Sequence, residues 1–358
     1  MRLRIWEVRD IMKKKALKKA CALFVSAALW AGSALTTFAA APVSMQDKLT
    51  AVEDAAYGSG QSGALLDRVN RLEADFDAKH PNDSVAARVE RLYNMVFTND
   101  KGPSLLTQMN AVEYRFNDEV SMEPIQKRIT ALEMNITGRT ESGAFGKRID
   151  KLAGYAYGAE ALPLTQYVVP AATLVRISLV TPVNAKNIKV NDIVEFKASE
   201  DVFVDGMLVI AKGAPGLGKV TKVKTAKNFG RDAVVEVDFE HIRAMDSTEL
   251  KTILGTEAEE KMEGYAMAAG AGIAGMAVLG PIGVVGAAFV KGRNVNLPEG
   301  TELYIQTKED TILYGLDAPE GAARAAELEA KRQAEAEAKA KKKSDDKEES
   351  TAETEKSN

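Results

Sequence analysis

Ile125-Gln126-Lys127-Arg128-Ile129-Thr130-Ala131-Leu132-Glu133 and, twenty residues on, Phe145-Gly146-Lys147-Arg148-Ile149-Asp150-Lys151-Leu152-Ala153 place apolar side chains at their first, fifth and eighth positions. Working outward, the same triplet recurs six times with a period of 20 and no slip: Met45-Leu49-Val52, Leu65-Val69-Leu72, Val85-Val89-Leu92, Leu105-Met109-Val112, Ile125-Ile129-Leu132 and Phe145-Ile149-Leu152. Spacing of i, i+4, i+7 aligns three side chains on one stripe of a helix of 3.6 residues per turn. An aromatic usually closes the unit about one turn later, as at Tyr57, Phe76, Phe97, Phe116 and Tyr157. Residues 42–160 are therefore predicted to be six short helical repeats.

The intervening segments read as turns: Gly58-Ser59-Gly60, Pro81-Asn82-Asp83, Lys101-Gly102-Pro103 and Thr140-Glu141-Ser142-Gly143. Ser44, Ser84 and Ser104 stand at N-cap positions, where a hydroxyl accepts from an otherwise unpaired amide of the first turn. A helix of about a dozen residues is marginal alone in water, so each stripe must be buried against neighbours or a partner chain. Arg68, Arg88, Arg128 and Arg148 precede the middle apolar residue, and Glu53, Glu73, Glu113 and Glu133 follow the last one. A solvated, salt-bridged face is the expectation for them; the alternative is a ladder of contacts to a polymer or a partner.

Before the repeats, Lys13, Lys14, Lys15, Lys18 and Lys19 form a basic cluster, residues 20–46 carry no charge, and Ala39, Ala40 and Ala41 supply small side chains. This layout predicts a secretory signal peptide over residues 1–41, cleaved near Ala39, with Met12 as a candidate start. An uncleaved anchor is the alternative, but the apolar core at Leu23–Leu35 is short for the ~20 residues a span needs. Cys21 is the one cysteine of the 358 residues, so removal of the signal leaves neither disulfides nor a thiolate metal site. Residues 1–40 hold eight Lys/Arg and two Asp/Glu, and the remainder has 39 basic and 49 acidic residues, a net charge of −10. That balance argues against a nucleic-acid partner, whose phosphates need a basic surface.

From Ala161 the apolar period changes to two, and Thr173–Val180, Ile193–Ala198, Met207–Ala211, Lys219–Lys224, Ala233–Ile242 and Glu302–Thr307 are predicted strands. Asp205-Gly206 and Asn228-Phe229-Gly230 are turn signals. The fold class is α+β, with an antiparallel barrel or sandwich over 161–316 and a charged, largely disordered tail over 317–358. In the tail, Ala322–Lys343 reads as a lone solvated helix.

Within the β-domain, Gly264–Val290 has no charged residue. Gly264, Ala268, Gly272 and Gly275 supply small-residue spacing for close helix packing, Gly280-Pro281 interrupts the stretch, and Gly283 and Gly286 follow. Two readings compete, a single membrane span and a broken helical hairpin that returns the chain to the same side. The hairpin is preferred, because Val295–Tyr314 then stays with the sheet it completes. These glycines and Pro281 are the candidate assembly or membrane-contact residues.

The run Val202-Phe203-Val204-Asp205-Gly206-Met207-Leu208-Val209-Ile210-Ala211-Lys212-Gly213, followed by Gly218, resembles the β-domain of conjugal-transfer and type IV secretion outer-membrane core subunits over roughly residues 167–255. The resemblance implies a barrel with an inserted helical hairpin, the hairpins of several copies together lining a pore. It does not extend to the helical repeats.

No catalytic, cofactor or metal residues are expected. Gly213-Ala214-Pro215-Gly216-Leu217-Gly218-Lys219-Val220 comes near a phosphate-binding loop, but Val220 has no hydroxyl for magnesium and strands flank the run, so a turn is expected. His80 and His241 lack metal-ligand spacing and are read as structural, and Asp201 and Asp205 flank a hairpin. The leading expectation is a non-enzymatic cell-envelope scaffold, periplasmic or outer-membrane-associated, whose partners are copies of itself or an envelope protein. Its alternatives are a secretion or conjugation pore subunit and a soluble periplasmic binding module.

Overall fold

A computed structural model describes residues 44–158, 161–225, 233–269, 277–278, 287–292, 295–334 and 338. The expected signal peptide, with Cys21 and the Ala39 cleavage region, lies outside the described residues, as does the turn at 228–230.

Six helices occupy the predicted positions: α1 (Met45–Tyr57), α2 (Leu65–Phe76), α3 (Val85–Phe97), α4 (Leu105–Asn117), α5 (Ile125–Thr137) and α6 (Phe145–Tyr157). Ser44, Ser84 and Ser104 accept from the amides of Asp47, Ala87 and Thr107. Left-handed residues end α1, α2, α4 and α5 at Gly58, Asp77, Asp118 and Gly138. The middle residue of every triplet is fully buried. All six stripes converge on one apolar core. The array is a closed bundle and does not extend as a spacer: α1 packs on α3 and α5, and α2 on α3 and α6. Phe145 of the last repeat meets Phe76 edge-on at 5.2 Å and Tyr57 at 6.4 Å, so the first, second and sixth repeats share one aromatic contact.

The β-domain contains β1 (Leu164–Val169), β2 (Leu174–Leu179), β3 (Val183–Asn184), β4 (Ile193–Ala198), β5 (Val202–Val204), β6 (Met207–Ile210), β7 (Pro215–Lys224), β8 (Ala233–Arg243), β9 (Glu249–Ile253), β10 (Ala277–Val278), β11 (Ala287–Gly292), β12 (Asn296–Leu297), β13 (Glu302–Thr307) and β14 (Thr311–Asp317), with α7 (Thr256–Ala269) after β9. The order β8-β7-β4-β2-β13-β9, closed by β9 pairing back to β8, is a six-stranded antiparallel barrel. A second antiparallel sheet, β1-β14-β6-β5, is separate from the barrel's hydrogen bonds, and β3 pairs with β12. Asp205 (φ 49°) and Gly206 (φ 86°) form the tight turn between β5 and β6; two successive positive φ values match the twist of the flanking strands.

Two glycines of the run that resembles a phosphate-binding loop have a packing role. Residues 215–224 are strand, and only Gly213 (φ 85°) turns the chain. A Cβ on Gly216 would lie 2.1 Å from the Phe196 ring, and one on Gly218 would lie 2.8 Å from the Asp238 carbonyl. The phenyl ring therefore fills the barrel where Gly216 leaves room, edge-on to Phe239 at 5.3 Å.

The uncharged stretch departs from the expected helical hairpin in its second half. α7 is helical through Gly264 and Ala268, but residues 287–290 belong to β11, which pairs with β8 from Ala287↔Asp238 to Gly292↔Ala233 and with β10. β9 covers only the last residues of β8, so β11 satisfies the backbone groups of the first half, which would otherwise form an open edge. A single span is excluded because the stretch rejoins the barrel's own hydrogen-bond ladder. Among the described residues, no helix is long and apolar enough to cross a membrane.

The beginning of the tail also differs from expectation. Residues 319–334 form a helix, α8, tied to α7 by Lys261–Glu329, to the barrel by Arg332–Glu200 and to the repeats by Arg324–Asp118. Gly321 packs where a Cβ would lie 2.9 Å from the Phe203 ring and 3.2 Å from the Tyr114 hydroxyl.

Gly216→Ala is expected to destabilise the protein by about 1–3 kcal/mol through overpacking. Gly154→Ala, on the exposed side of α6 with open space around it, is expected to stabilise it by up to about 1 kcal/mol. Urea denaturation of the two variants measures both signs.

Candidate functional site

The repeated arginines and glutamates are directed inward. Arg68 Nε and Nη2 donate to Glu53 at 2.8 and 2.6 Å, Arg88 to Glu73 at 2.8 and 2.6 Å, and Arg148 to Glu133 at 2.8 and 2.7 Å. Arg128 Nε lies 2.9 Å from Glu113 and its Nη2 2.7 Å from the same carboxylate. Each arginine thus grips the carboxylate fifteen positions before it, at the end of the previous repeat. Glu53, Glu73, Glu113, Glu133, Arg88 and Arg128 are at most 5 % exposed, so the face is not solvated as expected, and these guanidiniums are held within the chain.

The second carboxylate function is local. The amides of Gln61, Ser121 and Glu141, each eight residues on, donate to Glu53, Glu113 and Glu133 at 2.9–3.0 Å. At the equivalent place after Glu73 stands Pro81, which has no amide hydrogen, and the neighbouring His80 amide helps instead to lower that carboxyl. One acidic side chain therefore fixes both the loop that leaves its helix and the helix that follows. The Arg88 hydrogen bonds hold the Glu73 carboxyl below its ordinary range, against the cost of burial. Burial pushes Glu133 upward, but its bonds from Arg148 and the Glu141 amide outweigh that and leave it lowered.

The ladder has one gap. Between the third and fourth repeats, Tyr93 and Gln108 replace the glutamate and arginine. At that place the β-domain docks, through its second sheet and the β8–β9 turn. Helix α4 buries a second side: Ala111 and Tyr114 pack with Leu208, Ala211, Met245 and Leu316. Asn110 Nδ2 donates to the Met245 carbonyl at 2.8 Å while its Oδ1 accepts from Arg128 at 2.7 Å, so one side chain joins the ladder to the barrel. Thr107 donates to the Asp246 carbonyl, and Asn99 donates to the same carbonyl and to the Asp246 carboxylate.

Asp246 is 1 % exposed and also accepts from the amides of Tyr314 and Thr248. Burial raises its carboxyl above the ordinary range, the amide bonds opposing in part. Asp201 accepts from the Tyr114 hydroxyl at 2.8 Å and from the Lys212 amide at 2.7 Å, and burial raises it as well. The sequence reading missed Asp246, Asn110 and Tyr114. The available signal was the gap itself, together with Thr107, Asn110 and Ala111 on a helix side that the other repeats leave to solvent.

The root of the uncharged stretch lies on the barrel. α7 packs across β13 and β2, and the Ala258 amide near its start donates to Gln306 Oε1. Gly255 lets that carboxamide approach, since a Cβ there would lie 2.3 Å from it. Gly264 and Ala268 lie in α7, whereas Gly272, Gly275, Gly280, Pro281, Gly283 and Gly286 lie outside the described residues.

His241 lies in β8, its Nε2 4.0 Å from Glu249, and His80 is exposed in a repeat linker. Asp201 and Asp205 serve the domain junction and a hairpin turn. Among the described residues, no group of three His, Cys, Asp or Glu side chains is placed to hold a metal ion.

No protein-family model matches this sequence, and no curated protein matches it. Among solved structures, ComB10 of the Com type IV secretion system of Helicobacter pylori is similar at a TM-score of 0.23 and 13% identity, covering 40% of this chain and 88% of that one. A TM-score that low establishes neither a shared fold nor a shared role.

Arg128→Ala leaves Glu113 buried without its cation and is expected to cost about 3–5 kcal/mol, whereas Lys127→Ala, at an exposed pair, changes stability little; thermal melts compare the two. Acid acts on ladder and junction with opposite sign. Glu73, being lowered, contributes stability that is fully present above ~4.3, and loses it as pH falls through the lowered value. Asp246, being raised, opposes folding when ionised, and acid relieves that cost between its raised value and ~3.9. Asp246→Asn is therefore expected to remove stability gained on mild acidification while leaving the loss in stronger acid, as melts at about pH 7, 5 and 3 would read.

Proposed function

We propose that this chain is a non-enzymatic scaffold of a bacterial cell envelope, exported to the periplasm or associated with the outer membrane, whose barrel presents an apolar segment for self-assembly or membrane contact. The observation that carries the reading is the anchorage of residues 264–290. This is the longest uncharged stretch beyond residue 46, and it leaves the barrel through α7 and rejoins it through β11. A stretch of that composition, tied at both ends to one domain, suits a contact element better than a core element.

Two further features support a structural role. The displaced carboxyl groups, Asp201 and Asp246, are occupied in joining the helical bundle to the barrel. The Arg–Glu ladder stiffens the bundle and offers none of its guanidiniums to a ligand. The basic, apolar and small-residue regions of residues 1–41 support export.

Replacing residues 279–286 by a two-residue turn tests the proposal while sparing α7 and the β11–β8 ladder. Carbonate-washed membranes are expected to retain the parent chain and lose the variant, and light scattering on extracted protein is expected to show a smaller species for the variant. A parent chain released like a soluble periplasmic marker, with unchanged mass after replacement, would defeat the proposal. A ring of many copies would favour a pore subunit.

A further inference from the structure

We infer that the outer edge of β1 is a self-recognition edge, pairing antiparallel with β1 of a second copy of this chain. Among the described residues, β1 is the terminal strand of the β1-β14-β6-β5 sheet. The bond from the Asp317 amide to the Pro163 carbonyl, 2.9 Å, sets the phase of its pairing with β14. Because antiparallel ladders alternate, residues 165, 167 and 169 direct their backbone groups to β14. Gln166 and Val168 direct theirs outward, while the Leu164 amide is turned to Leu162.

Two of the usual protections, charge and a bulge, are missing from this edge, and proline limits it only at its two ends, Pro163 and Pro170. Natural edge strands are blunted by charge, by proline or by bulges, yet residues 161–175 carry no charge, and β1 pairs with β14 without a bulge. Beside the open edge, Val168 and its cross-strand partner Ile312 are 48% and 68% exposed. The two aliphatic side chains form one exposed apolar pair across β1 and β14, next to the edge.

The occupant follows from charge and symmetry. A two-fold contact brings each residue opposite its own strand, so a charged edge would meet like charge, and an uncharged one meets none. Pairing centred on Tyr167 places Gln166 opposite Val168 of the other copy and yields four main-chain hydrogen bonds. Pro163 and Pro170 bound the strand, and Pro170 has no amide to extend the ladder, which fixes the register. The contact adds a self-association to the scaffold reading and is tested separately from it.

The experiment is sedimentation of the full-length chain over a concentration series, with Val168→Lys and Gln166→Pro, both at exposed, outward positions. The parent is expected to dimerise, and each variant to weaken the dimer at least tenfold without change in melting. In a Cys21→Ser background, Tyr167→Cys is expected to cross-link as a dimer under mild oxidation, and Thr165→Cys, displaced from the two-fold axis, is not. A monomeric parent overturns the inference. So does an oligomer that resists Val168→Lys but is lost when 279–286 are replaced, an outcome that leaves the scaffold proposal standing. A soluble protein whose dimer breaks with Val168→Lys would keep the edge and defeat the scaffold.

Discussion

A carboxylate at the end of one helix, gripped by the arginine fifteen residues later, is the interaction on which the helical half of this protein depends. Helices of 12 or 13 residues do not persist alone, and apolar stripes alone would permit several relative orientations. The fork of a guanidinium on a carboxylate permits few. Because the same glutamate also accepts from the loop amide eight residues on, loop path and helix position are coupled, and the coupling recurs with the repeat. Removing such a pair from water costs energy, so it acts as a constraint on register as much as a source of stability. The outcome is a closed bundle in which the sixth repeat meets the first two.

The gap in the ladder gives the molecule its direction. Were every repeat alike, no helix would differ from its neighbours as a docking surface. Tyr93 and Gln108 interrupt the series, and α4 uses its other side for the β-domain through Thr107, Asn110, Ala111 and Tyr114. Asn110 belongs to both systems. The bundle, the junction and the barrel are consequently joined by named hydrogen bonds, and α8 adds ion pairs to both halves.

The barrel solves a different problem. Six strands around Phe196 and Phe239 leave little interior, and Gly216 and Gly218 supply the room that side chains would deny. β8 is longer than β9 can cover, and the chain returns from its apolar excursion as β11 to pair with the remainder. That backbone requirement explains why residues 287–292 are extended despite their resemblance to a helical arm.

Much of this was legible in the sequence. The helices follow from a 20-residue apolar period, and their serine caps from local chemistry, because both depend on contacts within a few residues. Strands β2, β4, β6, β8 and β13 were visible as alternation. β1, β9 and β14 were not; β1 and β14 pair with each other from opposite ends of the β-domain, and β9 closes the barrel between β8 and β13. The sequence by itself determined the repeat, the position of the turns and the extent of the uncharged stretch. Only the tertiary structure decided that the arginines face inward, that Asp246 joins two domains and that the second arm is a strand, because each rests on a hydrogen-bond partner that sequence spacing does not name.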